Sequence, residues 1–178
     1  MIASSVAGFR IVFASATPPL YDHYIRHAKL SESFGLSDDG DYLLVGASQP
    51  SREWPTLVVE QRYDPGIRSG FTPGVHLMTE TSILLIGAGT RLLAYDILRA
   101  KRLWQDKTSC GFWGWAQHGD TVVLSAELEI AAWDLHGRKL WSRSVEPPWT
   151  YQVASGSIEL EVMGDRTSFP ITEGPPSR

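Results

Sequence analysis

One cysteine in 178 residues, Cys110, allows no intramolecular disulfide, so a core has to hold the fold. Basic excess is missing as well: 16 Lys and Arg stand against 20 Asp and Glu, a formal charge of -4. That speaks against the positive footprint with which nucleic-acid binders grip phosphates. No run approaches the ~18 apolar residues of a membrane-crossing helix. The first ten residues lack the basic start of a secretory signal, and Arg10 interrupts their mildly apolar stretch. With a single thiol, the expectation is a reducing, cytoplasmic setting away from membranes. Helix signals are scarce too, confined to 21–30 and 97–104, and Pro18-Pro19 stands before the first. What is present is an apolar fraction of 43%, enough for one core.

Repetition organises that apolar content. Short runs end in a small residue at Tyr42-Leu-Leu-Val-Gly46, Ile83-Leu-Leu-Ile-Gly87 and Thr121-Val-Val-Leu-Ser125, with a weaker fourth at Ile158-Glu-Leu-Glu-Val162. Their ends recur about every 40 residues. A turn triplet precedes each: Asp39-Gly40-Asp41, Glu80-Thr81-Ser82, His118-Gly119-Asp120 and Ser155-Gly156-Ser157. Such triplets join antiparallel strands. Beyond the runs, Tyr95-Asp96 and Trp133-Asp134 correspond, followed by Trp104 and Trp141. Tyr63-Asp64 followed by Phe71 reads as a degenerate copy, and Tyr21-Asp22 as a remnant of another.

A period near 40 with about four strands per unit is that of propeller blades. The succession alanine, aromatic, aspartate, basic stretch, Leu-Trp in 93–104 and 131–141 resembles the repeat of quinoprotein-like (PQQ-type) β-propellers, over roughly 81–145. The resemblance implies a fold, because such repeats serve enzymes, scaffolds and assembly factors alike. The expectation is an all-β chain forming a small irregular β-propeller of four blades, or five, closed as a monomer. A half-ring array of propeller-like blades that dimerises is the alternative. Units over 33–72, 75–109, 111–147 and 149–172 make a single domain, 1–172, with 173–178 a frayed tail. The last unit lacks its Leu-Trp strand, and the strand over 9–14 is expected to supply it and so close the ring.

Chemistry-bearing patterns are thin. His23 and His27 are four apart, which on a helix would face one metal ion, but the glutamate of the zincin motif is missing and the prolines leave little helix. No metal is expected there. Asp38-Asp-Gly-Asp41 has part of a calcium loop's composition without its alternating ligands or terminal glutamate, and a hairpin turn accounts for it. Gly87-Ala-Gly89 lacks the third glycine of a dinucleotide fingerprint. Cys110 has Lys107 as its nearest base in sequence, a poor setting for a nucleophile. No cofactor is expected. Asp96 and Asp134 read as turn acceptors, and Trp104, Trp141, Tyr95 and Trp133 as packing between blades.

Two features break the repeat. The stretch from Gly46 to Tyr63 exceeds its counterparts and carries Gln49-Pro-Ser-Arg-Glu-Trp-Pro55. Insertions in repeat proteins fall in loops, often on a binding face. Aromatics also crowd the first strand of two units, in Phe112-Trp113-Gly-Trp115 and Trp149-Thr-Tyr151. If both features share one rim, Arg52, Glu53, Trp54, Trp113, Trp149 and Tyr151 gather there, residue types that dominate interface energetics. The expected function is a non-catalytic recognition module that binds another protein through this rim, an inhibitor or immunity-type protein being a narrower version. Monomer is preferred to homodimer. The rivals are a carbohydrate-binding propeller and an enzyme with its site in the central channel.

Overall fold

The computed structural model describes residues 1–35, 40–49, 51–65 and 71–176. The first sheet contains β1 (Ile2–Val6), β2 (Phe9–Ala14), β3 (Leu30–Phe34), β4 (Asp41–Ser48) and β5 (Leu57–Tyr63), with the helix α1 (Tyr21–His27) between β2 and β3. Its order is β1-β2-β4-β5-β3, antiparallel except that β3 runs parallel to β5. Three up-and-down sheets follow along the chain. They are β6 (Gly74–Met78), β7 (Ile83–Ala88), β8 (Arg91–Asp96) and β9 (Lys101–Lys107); then β10 (Phe112–His118), β11 (Thr121–Ala126), β12 (Glu129–Asp134) and β13 (Lys139–Ser144); then β14 (Trp149–Ala154), β15 (Ser157–Val162) and β16 (Asp165–Pro170). The all-β expectation holds in this form: four small sheets, each continuous in sequence.

Residue patterning explains how the sheets stack. Every residue of β7 is buried, because sheets cover both of its faces. Leu84 and Ile86 pack with Leu43, Val45 and Ile11 of the first sheet, while Leu85 on the opposite face packs with Val122 of the third. Phe112, Leu124 and Trp133 meet Leu92 across the same junction. Val123, Ala132 and Trp141 then meet Ile158, Leu160 and Phe169 of the fourth sheet. By contrast β14 alternates half-buried with exposed residues, as a strand covered on one face should. Side-chain-free positions let the sheets approach closely: a Cβ at Gly87 would stand 2.4 Å from the Phe112 ring.

Several expectations need correction. The strand over 9–14 does not complete the last sheet. It is β2, hydrogen-bonded to β1 on one side and β4 on the other, so both its edges are used and the fourth sheet keeps three strands. Tyr21-Asp22 is no remnant strand but opens α1, and the prolines precede the helix, Tyr21 N–H donating to the Pro18 carbonyl. The tail is anchored as far as Gly174, which is buried against Trp141. Residues 177–178 lie outside the described residues, as do Asp38 and Asp39 of the acidic turn and Pro50 of the insertion.

The first unit's register is also shifted by one strand. Tyr42–Gly46 corresponds in sequence to Ile83–Gly87, a second strand, yet β4 is third in its sheet after β1 and β2. The second strand is β2, introduced by the tight turn Ala7-Gly8 at φ 47° and 82°, like Ser155-Gly156 before β15 at 50° and 78°. Buried strands share one composition whatever their place in a sheet, and α1 and β3, inserted after the second strand, shift the first unit's apolar run to its third strand.

Candidate functional site

The strands alternate in direction, so the stack has two rims. On the upper rim, Phe112 N–H donates to Gly89 O at the β7–β8 turn, Glu127 N–H to Gly111 O, and Met163 N–H to Pro148 O. This rim therefore holds the chain segments leading into β10 and β14 together with the β11–β12 and β15–β16 turns. The lower rim holds the β8–β9 and β12–β13 turns. Trp104 on β9 donates its indole N–H to the Gly137 carbonyl in the latter.

Trp113, Trp149 and Tyr151 do come together. Trp113 and Trp149 stack with centroids 5.4 Å apart and planes 15° from parallel, and Tyr151 continues the series 6.4 Å beyond Trp149. His118 meets the edge of Tyr151. The members differ in accessibility. Trp149 and Tyr151 are half-buried against the core between the third and fourth sheets, and Trp149 donates to the Glu127 carbonyl at 3.0 Å. Burial raises the Tyr151 phenol above its ordinary range, although a hydrogen bond with Ser125 pulls the other way. Trp113 occupies the register irregularity between Phe112 and Gly114 and is 41% exposed.

Arg52, Glu53 and Trp54 lie elsewhere. Gln49, at the start of their loop, donates to the Leu98 carbonyl at 2.6 Å and that of Ile97 at 3.3 Å, both in the β8–β9 turn of the lower rim. Tyr63, at the far end of β5, sits beside Gly89 of the upper rim. The loop then folds over the outer face of the first sheet. Pro55 covers Gly46, and Trp54 packs with Tyr24, Val12, Leu44 and Val58 on the side away from the second sheet. Arg52 and Glu53 are exposed there. The shared-rim expectation fails for these three because it placed the insertion after a second strand, whereas it follows the third.

The upper rim adds residues that the sequence reading passed over. Leu128, in the β11–β12 turn, is 37% exposed, and Met163, in the β15–β16 turn, is 66% exposed. Pro147 and Pro148 are exposed between β13 and β14. Hydrogen bonds tie them to the aromatic stack: Val145 N–H donates to Leu128 O, Trp149 to the adjacent Glu127 O, and Met163 N–H to Pro148 O. Met163 is the telling member. Its φ is 53°, the left-handed region where Gly, Asn or Asp is usual in a two-residue hairpin turn. A large apolar side chain there gains nothing locally.

Cys110, on the same rim, donates its thiol to Glu127 Oε2 at 2.7 Å. That hydrogen bond, with burial, raises the thiol's pKa, the opposite of what a nucleophilic cysteine needs. Asp96 and Asp134 accept backbone N–H groups of the turns that follow them, those of Arg99, and of His136 and Arg138. Among the described residues no three His, Cys, Asp or Glu side chains converge as a metal cluster. Among the described residues no helix is long and apolar enough to cross a membrane. No protein-family model matches the chain, and no curated protein is significantly similar to it in sequence.

Proposed function

We propose that the chain is a recognition module that binds another protein through the upper rim of its third and fourth sheets. The carrying observation is that exposed Trp113, Leu128, Pro147, Pro148 and Met163 are linked by ring stacking and backbone hydrogen bonds around half-buried Trp149. Contiguous exposed apolar surface costs solubility and marks contact sites on soluble domains. A half-exposed tryptophan stacked on a fixed one is also a low-entropy anchor of the kind that dominates binding energy. Glu146 and Asp165, exposed and within two residues of Pro147 and Met163 along the chain, add negative charge beside these residues, which suits a partner with an apolar centre and a basic rim. A sugar would need polar groups around its stacking face, and leucine, methionine and proline fit that reading less well.

The blades belong to the same proposal. We read the four sheets as an open array of propeller-like blades, in the manner of the quinoprotein-like repeat, with capped ends. Supporting this, α1 and Trp54 cover the outer face of the first sheet, and the outer face of the last carries exposed Thr150, Gln152, Glu159 and Ser168. Neither face offers apolar area to the other, which favours a capped monomer over a ring or a face-to-face dimer.

The test is affinity capture from lysate with three baits: wild type, a Trp113→Ala/Met163→Ser double variant and Trp54→Ala. A stoichiometric protein should be retained by wild type and Trp54→Ala and lost from the double variant. Equal capture by all three removes the rim from the reading. A glycan panel followed by tryptophan emission then tests the carbohydrate alternative.

A further inference from the structure

We propose that His23 and His27 form a two-imidazole site for a divalent transition-metal ion of the borderline class, Ni2+, Cu2+ or Zn2+, on the outer side of the first sheet. The prolines that speak against a helix in the sequence instead start one. Tyr21 N–H donates to Pro18 O, Tyr24 to Leu20 O, and Ala28 to Tyr24 O, so α1 is formed through both histidines. Residues four apart on a helix share a face, and the two ring centroids are 4.2 Å apart with planes inclined by 34°.

The tautomer is set as well. His27 Nδ1 lies 2.8 Å from the His23 carbonyl oxygen, which can only accept, so Nδ1 carries the proton and Nε2 presents its lone pair. A hydrogen bond from the second ring nitrogen to a carbonyl is how metal-binding histidines are generally oriented. Trp54 restricts the pair further, edge-on to His23 at 4.1 Å and 5.8 Å from His27. Buried Tyr24 anchors α1 between them. Two imidazole nitrogens select borderline ions over Mg2+ or Ca2+, which take oxygen ligands.

Isothermal titration of the full chain with NiCl2 tests this, repeated with ZnCl2. Wild type should bind one ion per chain. His23→Ala and His27→Ala should each weaken binding at least about tenfold, the scale on which even outer-shell losses are felt at metal sites. His27→Asn should do the same while keeping a polar side chain at the helix end. His136→Ala, which alters an exposed histidine on the β12–β13 turn, should bind like wild type. Ni2+ should quench tryptophan emission in wild type and less in Trp54→Phe, which still binds. It should also raise Tm in wild type but not in His27→Ala. Binding undiminished in either His27 variant, or lost in His136→Ala, overturns the proposal.

Discussion

Trp141 donates its indole N–H to the carbonyl of Ile171 at 2.7 Å, tying the outer strand of the third sheet to the residue that follows the last strand of the fourth. Trp104 makes the corresponding bond to Gly137, one sheet earlier. The same side chain at the same repeat position thus fastens the second sheet to the lower end of the third, and the third to that of the fourth. Trp141→Ala removes a buried indole together with the bond, and should cost about 3–5 kcal/mol in urea denaturation. Gly174 should behave as its partner. Its φ is 77°, and a Cβ there would fall 2.4 Å from the indole, so Gly174→Ala should destabilise wild type but do so less in the Trp141→Ala background.

Phe112 fills the space left by two glycines of the second sheet. A Cβ at Gly87 would meet its ring at 2.4 Å and one at Gly74 at 3.0 Å. Gly87 is at an ordinary backbone angle, so the obstruction is steric alone. Gly87→Ala should therefore lose about 1–3 kcal/mol by overpacking. Combining it with Phe112→Leu should cost less than the sum of the two single changes. Strict additivity in that cycle would mean that the sheets can shift apart freely.

Trp54 packs against Tyr24, Leu44 and Val58 on the outer face of the first sheet, away from the upper rim. Trp54→Ala should lower stability by about 1–3 kcal/mol, as a half-buried aromatic truncation. It should also speed amide exchange at Tyr24 and Ala28, whose helix it holds against Leu44 and Val58. Partner capture through Trp113 should persist. Lost capture with unchanged exchange would restore Trp54 to the binding surface.

Legibility in the sequence followed locality. The runs ending at Gly87, Ser125 and Val162 became second strands, and Asp96 and Asp134 became turn acceptors, because turn chemistry and strand composition act over a few residues. The first sheet was misread where two inserted elements, α1 and β3, separate strands that pair. A one-strand shift then moved Trp54 to the wrong rim, since each successive strand reverses direction. That Trp113, Trp149 and Tyr151 come together was legible as the crowding of aromatics in two adjacent first strands, whereas their stacking was not. Leu128 and Met163 were not, because an isolated apolar residue is ordinary in sequence and informative only when the fold sets it at an exposed turn.

The Asp96 carboxylate is mostly buried, and burial by itself would raise its pKa. Hydrogen bonds from the Arg99 backbone N–H at 2.9 Å and from its guanidinium at 2.6 Å outweigh that and hold the pKa below the usual aspartate value. Asp106 is lowered likewise, burial being outweighed by Lys139 and the Lys107 N–H. An acid whose folded pKa lies below its unfolded value, about 3.9, binds its proton more readily when unfolded. Its contribution is complete above the unfolded value and is lost as pH falls through the folded one. Asp96→Asn keeps an acceptor for the Arg99 N–H but cannot ionise. Urea denaturation from pH 7 to pH 2 should show the variant less stable than wild type at neutrality, with the gap closing below about pH 4. Parallel curves over that range would mean that Asp96 carries no folding-linked proton.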